Sequence, residues 1–84
     1  MKIALVEDDN CEADVLTKYL NRYGQDKQVK LEITRYGSAE EFLKAYKNAY
    51  FSIVFMYIDL PGIRGLDAAR ALSRQDDCVT IIFV

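Results

Sequence analysis

The chain has 84 residues, 51% of them hydrophobic, with 11 Lys+Arg against 13 Asp+Glu and a formal net charge of −2. That fits one small domain, residues 1–84, with enough apolar residues for a core, and it excludes wholesale disorder. The acidic balance argues against nonspecific nucleic-acid binding, and no apolar run approaches the ~18 residues of a membrane span.

Lys2-Ile3-Ala4-Leu5-Val6 is an almost wholly apolar run ended by Glu7, Asp8 and Asp9, which predicts a central strand buried on both faces. The run is too short and too acidic at its end for a signal peptide. Cys11 and Cys78 do not make a disulfide framework, so a reducing cytoplasm is expected. Asp9 or Asn10 can cap a helix in which Cys11, Val15, Leu16, Tyr19, Leu20 and Tyr23 form one apolar stripe. Gly24 is placed to end that helix, with residues 25–28 as a polar connection. Cys11 reads as an ordinary, partly buried thiol rather than a reactive one.

Residues 29–36 alternate apolar and polar, the mark of a half-exposed strand near a sheet edge. Ser38-Ala39-Glu40-Glu41 is a capping box, and Phe42, Leu43 and Tyr46 supply the inner face of the helix it opens. Residues 51–58 form the strongest strand. Asp59-Leu60-Pro61-Gly62 is a turn, because proline presets one dihedral and glycine permits the positive one. A helix follows from about Gly65, with Leu66, Ala69 and Leu72 facing in and Asp67, Arg70 and Arg74 facing out. Residues 79–84 are a further buried strand. Strands alternating with helices predict a parallel α/β sheet with right-handed crossovers.

In such a sheet, ligands bind beyond the carboxyl ends of the strands. Glu7-Asp8-Asp9 follows the first strand and Asp59 the third, and carboxylates gathered there suit a hard cation such as Mg²⁺. The alternative is that these acids only cap the next helix. No glycine-rich phosphate loop follows the first strand, and with no histidine a Ser-His-Asp triad is excluded.

Residues 1–9 resemble the opening of bacterial two-component response-regulator receiver domains. So do Phe55-Met56-Tyr57-Ile58-Asp59-Leu60-Pro61-Gly62-Ile63-Arg64-Gly65-Leu66, residues 35–43 and residues 80–84. The flavour is that of receivers in front of LytTR-type DNA-binding domains, so a transcriptional regulator is the implied parent. The resemblance implies a flavodoxin-like, three-layer α/β/α fold and strand order 2-1-3-4-5. It also implies phosphorelay signalling rather than enzymatic activity, with a sensor histidine kinase donating a phosphoryl group to an aspartate in the presence of Mg²⁺. It places the metal at Glu7 and Asp8 and the backbone carbonyl of Asp59.

The acceptor aspartate of that family lies four residues before the turn proline, and four residues before Pro61 stands Tyr57. A phenol with a pKa of about 10 forms no acyl phosphate and is a poor Mg²⁺ ligand. Tyr57 therefore marks a degenerate acceptor position, weakens any Mg²⁺ site, and is expected to reach Asp8 through its hydroxyl. Asp59 falls in the turn and would have to re-aim from it to serve as an alternative acceptor. The family also continues past a fourth strand with further elements and an output domain. On that comparison the chain is a partial receiver, incomplete after its fourth strand, with DNA contact only through an absent output domain and no membrane contact. Val79, Ile81 and Phe83 then lie on an exposed edge strand and predict self-association. Two other readings are a Mg²⁺-dependent phosphoryl-transfer enzyme of toprim-like type, which needs a third convergent acid and a basic groove, and a non-functional receiver fragment.

Overall fold

The computed structural model describes residues 1–84. Its elements alternate as β1 (Lys2–Val6), α1 (Asn10–Lys27), β2 (Glu32–Tyr36), α2 (Ala39–Ala45), β3 (Ile53–Met56), α3 (Gly65–Gln75) and β4 (Thr80–Phe83). Every pairing is parallel and the strand order is β2-β1-β3-β4. This is the flavodoxin-like arrangement expected from the sequence. Chain direction across the sheet reverses after β2, so right-handed crossovers put α1 on one face and α2 and α3 on the other.

β1 is buried from Ile3 to Val6 because it is sandwiched in both senses, between two strands and between two helical layers. Alternation sends Ala4 and Val6 to the α2/α3 face, where they meet Phe42, Tyr46, Val54, Met56, Ala68 and Leu72. Ile3 and Leu5 go to the α1 side and are also buried. Phe42 is fully enclosed, its ring edge-on to Tyr36 at 5.3 Å and to Tyr46 at 5.5 Å between centroids.

Asp9 caps α1, its carboxylate accepting the N–H groups of Cys11 at 2.8 Å and Glu12 at 3.3 Å. Gly24 does not end this helix. The helix runs to Lys27 and closes at Gln28, whose φ of 56° is left-handed. Gly24 is instead a notch for the returning chain. Its carbonyl accepts the Val29 N–H at 2.8 Å, and a Cβ there would lie 2.8 Å from the Val29 oxygen. Residues 25–27 are thus helix, and β2 starts at Glu32 rather than 29.

The expected stripe is also rotated. Ala13, Leu16, Thr17, Leu20 and Gly24 face the sheet, while Cys11, Val15, Tyr19 and Tyr23 are exposed, Tyr19 by 66%. Small residues at 13, 17 and 24 bring the helix close, which aromatic side chains on that side would prevent. In α3, Leu66 is likewise exposed, whereas Ala68, Ala69 and Leu72 are buried. The Ser38 box is half formed: its hydroxyl accepts the Glu41 N–H at 3.1 Å, and no bond returns from the Glu41 carboxylate.

Asp76, at the end of α3, ties three segments together. Its carboxylate accepts the Tyr46 hydroxyl at 2.7 Å, the Ala49 N–H at 2.9 Å and the Cys78 N–H at 3.0 Å. The Ala49 N–H, then the Tyr46 hydroxyl and the Cys78 N–H, hold its carboxyl below the ordinary carboxylate value, while burial, and then the bond to Asp76, push the Tyr46 phenol up. A depressed carboxyl stabilises the fold above its unfolded pKa of about 3.9, and that contribution disappears as pH falls through the lower folded value. Asp76→Asn is therefore expected to lower the melting temperature at pH 7 and to flatten the fall in stability below about pH 4. Melting curves across pH 2–7 check this, and an unchanged acid limb would refute it.

Candidate functional site

The carboxyl ends of β1 and β3 lie side by side because the two strands pair in register, Val6 opposite Met56. Two backbone bonds extend that ladder into the site: the Tyr57 N–H donates to Val6 O at 3.2 Å and the Glu7 N–H to Tyr36 O at 3.1 Å. Glu7 is 7% exposed, and its Oε1 accepts the Asp9 N–H at 3.1 Å. Burial, and then a hydrogen bond with the neighbouring Asp8 carboxyl, push the Glu7 pKa up. Asp8 and Asp9 are exposed, and Asp9 is committed to the cap of α1.

Tyr57 stands beside this acidic turn, half-buried against the α2/α3 core. Burial pushes its phenol up, and the charges of Glu7, Glu12 and Asp9 add to that shift. The ring is therefore neutral at pH 7. Its hydroxyl makes no hydrogen bond to Asp8, contrary to the sequence expectation; it is among acids but bonded to none of them.

Asp59 is exposed at the start of the turn that carries Pro61 and Gly62. Gly62 has φ +76°, which only glycine adopts without strain. Glu40, from the first turn of α2, closes the turn from below by accepting the Ile63 N–H at 3.3 Å. Gly65 then opens α3 against the end of β3: its N–H donates to Ile58 O at 3.3 Å, and a Cβ there would fall on the carbonyl oxygen of Tyr57. Gly65→Ala is expected to push α3 off the strand end and to shift the amide resonances of Tyr57 and Ile58 more than those of β2. Unmoved β3 amides in the variant would count against that packing. Neither the Glu40 contact nor the Gly65 approach was read from the sequence. Both are tertiary, and the only local signal was a glycine ahead of an apolar helix.

The structure brings Glu7, Asp8 and Tyr57 to one place and leaves the Asp59 side chain in the turn. Mg²⁺ is commonly held by one or two carboxylates with waters and a phosphate oxygen. Glu7 and Asp8 bring two carboxylates to the end of β1. With a neutral phenol at position 57, the residue directly after β3 offers no carboxylate to receive a phosphoryl group. Three potential ligand atoms come within 4.8 Å of one another only at Asp76, Asp77 and Cys78, at the opposite end of the sheet. The oxygens of Asp76 there are already taken by the three bonds described above. Ile81 and Phe83 lie on β4 and Val79 just before it; all three line a groove against α3, and Phe83 pairs with Met56 at the end of β3. No helix is long and apolar enough to cross a membrane.

Residues 3–84 match the family model described as response regulator receiver domain. Nodulation protein W of Bradyrhizobium diazoefficiens is 32% identical over 82 residues, which is 98% of this chain and 34% of that protein. Among solved structures, the non-phosphorylated HemR receiver domain of Leptospira biflexa superposes with a TM-score of 0.81 at 26% identity, covering 98% of this chain and 61% of that one. TrrA of Thermotoga maritima, in complex with Mg²⁺ and beryllofluoride, gives 0.81 at 26% identity, covering 98% of this chain and 66% of that one. The chain thus spans about a third of the curated relative and under two thirds of each of these solved chains.

Proposed function

This chain belongs to the response regulator receiver domain family, and from that premise we propose that it is a receiver module that no longer accepts a phosphoryl group and acts by binding partners. The observation that carries this reading is the neutral Tyr57 phenol at the end of β3, where the resemblance calls for an ionised carboxylate. Without that carboxylate no acyl phosphate forms, whichever kinase docks. Glu7 and Asp8 retain a weak affinity for Mg²⁺, and the Asp59 carbonyl adds to it.

The wider setting follows from the family. The module works in the cytoplasm, downstream of a sensor histidine kinase or as a decoy for one, within a transcriptional regulator of LytTR type. Any DNA contact belongs to an output domain outside these residues. Self-association through β4 is the second kind of contact open to it. The toprim-like alternative lacks support, because the Asp59 carboxylate joins no cluster with Glu7 and Asp8.

Amide NMR tests the proposal. Mg²⁺ alone is expected to shift the Glu7, Asp8 and Asp59 resonances weakly, at millimolar concentrations, and beryllofluoride added with Mg²⁺ to shift nothing further. A saturating beryllofluoride response centred on β3 would overturn it.

A further inference from the structure

Between β2 and the segment that leaves α2 lies a cleft of about 240 Å³, lined by Thr34, Tyr36, Ala45, Lys47, Tyr50 and Phe51. It is built on β2, which pairs with β1 alone, at the edge of the sheet remote from β4. The cleft exists because α2 is short. Its seven residues reach about 10 Å, less than the roughly 16 Å of five-residue β2, so part of that strand stays uncovered on the α2/α3 face. Phe51 is the buried wall. The Tyr36 ring stands edge-on to it at 6.3 Å and the Tyr50 ring at 4.8 Å between centroids. Lys2 covers one face of Tyr50, its Nζ 4.1 Å from the ring centroid.

The polar groups of the cleft are uncommitted. Tyr46 is the only tyrosine whose hydroxyl is bonded within the chain, and Arg35–Asp14 is the only salt bridge, so the Tyr36 and Tyr50 hydroxyls and the Lys47 ammonium are free. Burial, and then the Tyr50 phenol, push the Tyr36 phenol up, so it is a neutral O–H donor at pH 7. Thr34, two residues before Tyr36 and so on the same face of β2, adds a third hydroxyl. No acid lines the cleft. The loop that carries Lys47 and Tyr50 is held under strain. The Tyr50 N–H donates to Lys47 O at 3.2 Å, and Ala49, inside that turn, has φ 62°, a left-handed value that favours glycine. Asp76 keeps it there by accepting the Ala49 N–H, and Asn48 makes two side-chain bonds to Gln75, at 3.2 and 3.1 Å. Strained backbone that its surroundings over-determine clusters at binding sites. Here it fixes Lys47 and Tyr50 on one wall of the cleft.

We propose that this cleft binds a small aromatic carboxylate, one ring bearing one anionic group. The ring lies among Phe51, Tyr50 and Ala45. The carboxylate sits at the rim and accepts from the Lys47 ammonium and from the Tyr36 and Thr34 hydroxyls. Size limits the ligand. Roughly 150 Å³ is enough for benzene, and pockets for drug-sized ligands take roughly 300–1,000 Å³. A cleft of about 240 Å³ suits a single ring and its carboxylate. Charge selects the anion. With one lysine, three hydroxyls and no acid, the cleft repels a cation, and a neutral ring leaves the ammonium without the charge-assisted bond that a carboxylate supplies. The site needs neither a metal nor an acceptor at residue 57, so its occupancy is independent of phosphoryl acceptance.

Benzoate is the probe, titrated into the 84-residue chain without Mg²⁺ and followed by amide NMR. Saturable shifts are expected at Thr34, Tyr36, Lys47, Tyr50 and Phe51 at millimolar benzoate. Benzamide keeps the ring and lacks the charge, and acetate keeps the charge and lacks the ring. Each should bind about tenfold more weakly, or worse. Lys47→Ala changes an exposed side chain, and Tyr36→Phe removes only an unbonded hydroxyl, so both variants should melt close to wild type. Each should nonetheless raise the benzoate dissociation constant about tenfold. An absence of saturable shifts, shifts centred elsewhere, acetate or benzamide matching benzoate, or variants that bind like wild type would each overturn the proposal. None of these outcomes bears on phosphoryl acceptance, which the beryllofluoride titration reads separately.

Discussion

Incubated with acetyl phosphate and Mg²⁺, the wild-type chain is expected to keep its mass, and Tyr57→Asp to gain one phosphoryl group. In the variant, a carboxylate oxygen attacks phosphorus, the bond to acetate breaks, acetate leaves, and an acyl phosphate forms at residue 57. The position is already set for this, because the Tyr57 N–H is held by Val6 O at the strand end and the side chain lies among the acids. The substitution has an energetic signature as well. A third carboxylate beside Glu7 adds like-charge repulsion at the strand end. Tyr57→Asp should therefore melt lower than wild type without metal and recover when Mg²⁺ is added, with a gain in Mg²⁺ affinity of about two orders of magnitude. Intact-protein mass spectrometry and melting curves with and without Mg²⁺ check both parts. A phosphorylated wild type would defeat the degenerate-site reading, and an inert, metal-blind variant would show that the pocket has lost more than its acceptor.

The largest stability effect is expected at Phe42. Phe→Ala in a packed core costs about 3–5 kcal/mol, and Phe42 is fully buried with edge-to-face partners on two sides. A domain of this size has a total stability of roughly 4–13 kcal/mol, so Phe42→Ala removes a large share of it and sits near the unfolding threshold. Tyr19→Ala, on the exposed face of α1, should stay within about 0.5 kcal/mol of wild type. Urea denaturation of the two variants side by side checks the contrast. Equal losses would mean that α1 packs through its aromatic stripe after all.

That contrast also marks where reading the sequence succeeds and fails. The strands were legible because a buried parallel strand is a short apolar run with turn residues after it, and Lys2–Val6 and Ile53–Met56 have that form. The order of elements then left few ways to build the sheet. The face of α1 was misread because apolar periodicity finds a stripe but not its partner. Ala13, Thr17 and Gly24 win the sheet side by being small, and a hydrophobicity pattern gives small residues little weight. Gly24 was misplaced for a related reason: a glycine near a helix end signals a cap, but here it answers a close approach by Val29, some residues later. Within the candidate site, Glu7 and Asp8 were singled out by their place at a strand end, and Tyr57 by the family resemblance, four residues before Pro61. Glu40 and Asp76 were not, because each works through hydrogen bonds to distant residues that no local pattern announces.

The position of β1 bears on how the chain comes into being. It leaves the ribosome before both of its neighbours, for it lies in the interior of the sheet, paired on one side with residues 32–36 and on the other with 53–56. Its hydrogen-bonding groups and its four buried side chains therefore wait for their full set of partners until residues 53–56 have been synthesised. The nascent chain is most prone to sticking during that interval, and a factor that shields emerging apolar segments should raise the yield of folded protein.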